Sequence, residues 1–211
     1  MKKIIILISL LFFSFATAGS NVEKVIKNVQ KKYKDVKLIS INFKQINRFK
    51  LSGLENEIFG SLWLSQSDKF RFETEDQTIV SDGKTYWQYN KLENQVLIDN
   101  AKKSNQDIFI NNFLFKIDDL YYGQILSEQK EGKQKIFEIK LTPKNTEESF
   151  FRYIKVWIVN KSWEIKKVNY IDYNENESEY LIEKLDLNPK ITGKEFIFEI
   201  PEDMEVVDLR F

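Results

Sequence analysis

The chain has 211 residues, 32 of them basic and 32 acidic, and contains neither cysteine nor histidine. Without thiols or imidazoles it can build no disulfide framework, no thiolate nucleophile, no Ser-His-Asp or Cys-His dyad and no zinc-thiolate or imidazole metal site. The even charge balance, with Lys and Arg spread along the chain, argues against an electrostatic nucleic-acid binder, which needs a basic face.

Met1-Lys2-Lys3 is a positive start, Ile4 to Phe15 an apolar run broken only by Ser9 and Ser14, and Ala16-Thr17-Ala18 a small-x-small site. This pattern reads as a cleaved signal peptide over residues 1–18. The run is shorter than the ~20 residues of a membrane span. The expectation is an exported protein, residues 19–211, forming one domain. No cysteine follows the leader, so no lipid anchor is expected there.

Ser20-Asn21-Val22-Glu23 fits a capping box. Behind it Val22, Val25, Ile26, Val29, Tyr33 and Val36 share one helical face, opposite a Lys-rich one. From residue 37 the period becomes two: Ile39, Ile41 and Phe43 alternate with Ser40, Asn42 and Lys44. Short strands follow at Ile58–Leu64, Lys69–Glu73, Gln77–Ser81, Lys84–Tyr89 and Gln95–Asp99, a rhythm of antiparallel sheet. Asp82-Gly83 suggests a two-residue type I′ turn, with both residues at positive φ.

Residues 104–123, SNQDIFINNFLFKIDDLYYG, break the pattern and read as one or two short greasy helices stopped by Gly123. Strands resume at Ile136–Leu141, Tyr153–Val159, Glu164–Tyr173, Glu179–Leu185 and Glu195–Ile200. The fold class is therefore mainly β with helices that can cover one sheet face. Aromatics at Phe70, Phe72, Trp87 and Tyr89 and in the insert either line a cavity for an apolar ligand or fill a core. From composition alone the core reading leads. A carboxylate pair remains possible for hydrolysis, but the only acids in an apolar setting, Asp118-Asp119, read as a solvated helix edge. No enzyme activity, cofactor or metal is expected.

One stretch narrows this. Phe43-Lys44-Gln45, Gly60-Ser61-Leu62-Trp63-Leu64, Lys69-Phe70-Arg71-Phe72-Glu73 and Val80-Ser81-Asp82-Gly83-Lys84-Thr85-Tyr86-Trp87-Gln88-Tyr89 resemble the LolA-type periplasmic lipoprotein carriers, whose pattern is F-x-Q, G-x-L-W-L, F-R-W-E and v-S-D-G-K-x-x-W-x-Y. Leu92-Glu93-Asn94-Gln95-Val96 is similar to the segment that follows. The resemblance implies an incomplete, strongly curved antiparallel β-barrel with helices as a lid, and a monomer. It implies a carrier that shelters lipoprotein acyl chains between sheet and lid. An ATP-driven inner-membrane transporter would load it, and an outer-membrane receptor would empty it. The lining residues so implied are Phe43, Phe70, Phe72, Trp87 and Tyr89, with Phe109, Phe113, Ile117 and Leu120 from the insert. Where many members carry Arg-Pro after G-x-L-W-L, with the Arg tethering the lid, this chain has Gln66-Ser67. Gln66 can still bond a carbonyl, and Arg71 or Arg48 could supply the charge. A carrier of phospholipid or glycolipid, or an envelope polysaccharide-binding β protein, are the alternatives.

Overall fold

The computed structural model describes residues 18–67, 69–101, 116–147 and 149–210. Residues 1–17 and 102–115, with Phe109 and Phe113, lie outside them. Helix α1 (Ala18–Tyr33) leads into a meander of β1 (Leu38–Arg48), β2 (Glu55–Ser65), β3 (Lys69–Thr74), β4 (Gln77–Asp82), β5 (Thr85–Asn90) and β6 (Gln95–Asn100). A short α2 (Ile117–Leu120) opens a second meander of β7 (Tyr121–Glu131), β8 (Gln134–Pro143), β9 (Phe151–Val159), β10 (Ile165–Asp172) and β11 (Glu177–Leu187). A 3₁₀ turn at Lys194–Phe196 and β12 (Glu205–Asp208) complete the chain.

All twelve strands join one open, curved sheet in the order β12-β6-β5-β4-β3-β2-β1-β11-β10-β9-β8-β7. The two meanders meet where β1 pairs antiparallel with β11. β12 is the exception to the antiparallel rule, pairing in parallel with β6. The sheet does not close on itself, so the expected incomplete barrel is what forms.

The period-two readings decide which side faces in. Ile39, Ile41 and Phe43 of β1, Leu62 and Leu64 of β2, and Phe70 and Phe72 of β3 are all buried on the concave side. From the other meander, Phe137, Ile139, Leu141, Ile154, Val156, Ile158, Val168 and Tyr170 join the same core. α1 lays Val22, Val25, Ile26, Val29 and Tyr33 onto this face, and all five are buried. Its predicted apolar stripe is thus the stripe that packs.

Four local expectations are corrected. α1 is already helical at Ala18, so Ser20 sits in its first turn and not at its cap. The β4–β5 turn is Gly83-Lys84, with only Gly83 at positive φ (89°), which suits a type II′ hairpin. Asp82 instead accepts bonds from the Lys84 and Thr85 amides at 2.8 and 2.7 Å. Gly123 does not stop a helix but lies in β7, a strand hidden in the sequence by its apolar start. Residues 195–200 form no strand; the C-terminal strand is β12, further on.

Candidate functional site

Between α1 and the sheet lies a cavity of about 40 Å³, lined by Tyr33, Ile41, Phe43, Leu62, Ile165, Val168, Tyr170, Tyr180, Ile182 and Leu185. Tyrosine hydroxyls are the only polar side-chain groups in this lining. Two features of the sheet shape it. Between Asn42 and Phe43 the β1–β11 register slips, so Leu185 pairs with Ile41 while Ile182 pairs with Phe43. That bulge turns Ile182 and Leu185, three residues apart, to the same side. Gly60, opposite Phe43, leaves its α-carbon bare, and the Phe43 ring lies over it.

The tyrosines stay neutral. Burial is the chief cause that pushes the Tyr33 hydroxyl up to about 12, against a bond with the Ile165 backbone, and Glu164 adds to it. Burial likewise pushes Tyr180 up to about 12 and Tyr170 well above the ordinary phenol range. The lining therefore presents apolar surface and uncharged hydroxyls through the whole physiological range.

α1 crosses the open face as a strap fastened along its length. Near its start, Ile26 and Val22 press on the bare α-carbon of Gly123, where an added Cβ would stand 2.7 and 3.0 Å from their side chains. In its last turn the Gln30 side-chain amide donates to Asp118 of α2. Lys32 reaches Glu164 at 3.2 Å. Just past its end, the Gln66 amide donates to the Lys34 carbonyl at 2.6 Å, while the Gln66 backbone N–H donates to the Lys37 carbonyl at 3.3 Å. Of these polar contacts, the two from Gln66 are neutral hydrogen bonds, Gln30–Asp118 is a bond to a carboxylate and Lys32–Glu164 an ion pair; at such exposed positions each is worth about a kilocalorie.

The expected site residues divide. Phe43 borders the cavity, while Phe72 stacks on it at 5.3 Å and Phe70 meets Tyr86 edge-on at 6.3 Å, both on the same sheet face but outside the lining. Ile117 is fully buried, but Leu120 is 38% exposed and does not face the sheet interior. Trp87 and Tyr89 are corrected: they lie on the opposite face from Tyr86. There they pack with Val96, Ile98, Met204 and Phe198 under the C-terminal segment. Arg71 is corrected too. It shares the outer face with Trp87 and pairs with Glu73 at 2.9 Å, away from α1. Arg48 is held by Glu55 at 2.8 Å and Glu179 at 3.4 Å. Most of the lining comes from β10 and β11, where the sequence shows strand rhythm but not which face is covered.

Among the described residues no cluster of acids is arranged to hold a metal ion, and no helix is long and apolar enough to cross a membrane. The family described as outer membrane lipoprotein carrier protein LolA matches residues 34–199. The chain belongs to this family. An outer-membrane lipoprotein carrier protein of Psychromonas ingrahamii is 26% identical over the full length of both chains. One from Hahella chejuensis is 26% identical over 82% of this chain and 83% of its own. The crystal structure of an uncharacterized conserved protein from Thermus thermophilus has the same fold, with a TM-score of 0.58 at 13% identity over 89% of this chain and 99% of that one. LolA-family members are carriers, so the apolar pocket under α1 is the candidate binding site.

Proposed function

We propose that this protein is a periplasmic carrier. It takes acylated lipoproteins from an ATP-driven transporter at the inner membrane, shelters their acyl chains between α1 and the concave face, and yields them to an outer-membrane receptor. The observation that carries this reading is an almost wholly apolar cavity between the sheet and the end of α1, a helix held by its apolar stripe and by a few exposed polar contacts. Each acyl CH₂ hidden from water contributes about 0.8 kcal/mol, so a long chain crosses an aqueous space only inside such a lining. A cavity of about 40 Å³ has room for no more than a few water molecules. An acyl chain does not fit this cavity as it stands, so loading requires α1 to lift. Phe43, Ile182 and Tyr180 become the wall of the groove; Phe70, Phe72 and Ile117 support it, and Gln66 serves as the tether in place of the family's Arg.

The test is mass spectrometry of what co-purifies with protein isolated gently from the periplasm. Acylated N-terminal lipoprotein peptides are expected, and Ile182→Glu should reduce their yield several-fold. Phospholipid or glycolipid in their place would make the protein a lipid shuttle.

A further inference from the structure

The two ends of the sheet differ in a way the groove does not explain. Because the strands from β1 to β11 alternate in direction, the β1–β2, β5–β6, β8–β9 and β10–β11 connections emerge at one end. The β2–β3, β4–β5, β7–β8 and β9–β10 connections emerge at the other. The first set exposes Phe49, Leu51, Leu54, Leu92, Phe150 and Tyr173; the described residues of the second set expose no large apolar side chain. Isolated exposed leucines are ordinary on any surface, but such one-sidedness is not.

The β1–β2 loop, Phe49-Lys50-Leu51-Ser52-Gly53-Leu54, is the sharpest case. Leu51 at its tip is 101% exposed and Leu54 67%. Four of its six backbone N–H groups are nevertheless bonded. The Phe49 N–H donates to the Leu54 carbonyl and the Gly53 N–H to the Phe49 carbonyl, both at 2.9 Å. The Leu54 N–H donates to Ser52 Oγ at 3.3 Å, and the Lys50 N–H to the Asn176 side-chain oxygen at 3.0 Å. Each amide bonded in this way lowers the cost of moving the tip from water toward lipid, where nothing else will accept it. The neighbouring loops brace it: Tyr173 donates to the Thr146 carbonyl at 3.1 Å, and Arg152 meets Glu175 at 3.4 Å. Lys50 and Arg152 both meet Glu175 here, at 4.0 and 3.4 Å.

We propose that this loop is a membrane-docking wedge. Leu51 and Leu54 enter the boundary between headgroups and acyl chains of a phospholipid bilayer, and Lys50 stays at headgroup level. A convex tip of apolar side chains suits lipid, which closes around it; a protein partner would have to offer a matching pocket. The inference deepens the carrier reading and rests on it for its purpose. Along β1 only four residues lie between Phe43 in the cavity wall and Arg48 at the loop, roughly 17 Å of strand. Docking would therefore bring the groove to the acceptor membrane.

The experiment is co-sedimentation of the cargo-free protein with phosphatidylcholine vesicles, with and without phosphatidylglycerol, at low and high salt. Binding that hardly changes with salt or anionic lipid is expected, and Leu51→Asp should weaken it by roughly tenfold or more. Leu51→Trp should shift its added emission to the blue on vesicles. Because Leu51 is fully exposed, both variants should melt like the parent. A parent that does not sediment with lipid, or a Leu51→Asp protein that sediments equally well, overturns the proposal. So does binding that appears only with vesicles containing outer-membrane proteins, which would make the occupant a protein. Cargo content is read separately: if the parent carries no acyl peptide yet still partitions, the carrier reading fails and the docking surface stands.

Discussion

The ring of Phe43 rests on the α-carbon of Gly60, its cross-strand partner, so closely that a β-carbon there would stand 2.5 Å from Phe43 Cζ and 2.6 Å from the Glu73 carbonyl. The second contact is with backbone and cannot yield cheaply. Gly60→Ala should therefore tilt Phe43 away from Phe72 and cost about 1–3 kcal/mol in denaturant unfolding. An unchanged midpoint would mean that the ring moves freely and does not form a fixed wall.

Gly123 plays the corresponding part for the roof. Gly123→Val would push against Ile26 and Val22 and unseat the start of α1. The expected result is lower stability together with higher fluorescence of an apolar dye that enters beneath the helix. Loss of stability without extra dye binding would show that α1 is not the gate.

Gln66→Ala removes the bond to the Lys34 carbonyl, worth about 0.5–1.5 kcal/mol. Hydrogen exchange should quicken in the last turn of α1, and dye uptake should rise. Arg71→Ala, on the outer face, should leave both readings unchanged. If Arg71→Ala opened the groove and Gln66→Ala did not, the tether assignment would be reversed.

Alkaline pH offers an independent handle. Tyr33 and Tyr180 hold their protons more tightly when folded, at about 12, than an unfolded phenol near 10. Their contribution is intact below about pH 10 and is lost as pH rises from there toward about 12. Unfolding free energy should be flat from neutral pH to the onset of this window and then fall. Tyr33→Phe should flatten the fall when denaturant titrations are compared across it.

Much of this was legible in the residues. The stripe of α1, the inward face of β1 and the first meander follow from period and turn chemistry alone. What escaped did so for definable reasons. Period two separates Tyr86 from Trp87 and Tyr89 but cannot say which face is inside when both are covered. The cover over Trp87 is Phe198 and Met204, more than a hundred residues on. β7 opens with Tyr121 and Tyr122 directly after a greasy segment, and its edge position leaves one side wet, so it reads as the end of a helix. The bulge that brings Ile182 and Leu185 together is a register slip, visible only once β11 is paired.

That pairing sets an order for assembly. During synthesis β1 emerges early and finds β2 at once, but its other edge has no partner until β11 follows the whole second meander, when Phe43 can settle opposite Ile182. Until then the strand that carries the future wall presents open hydrogen-bonding groups, the kind of edge on which chains stick together. The seam is also the longest loop to close, so its formation should be slow compared with either meander. The strand at the centre of the finished sheet is thus sealed only after the whole second meander is made, and until it is sealed the chain is most exposed to misassembly.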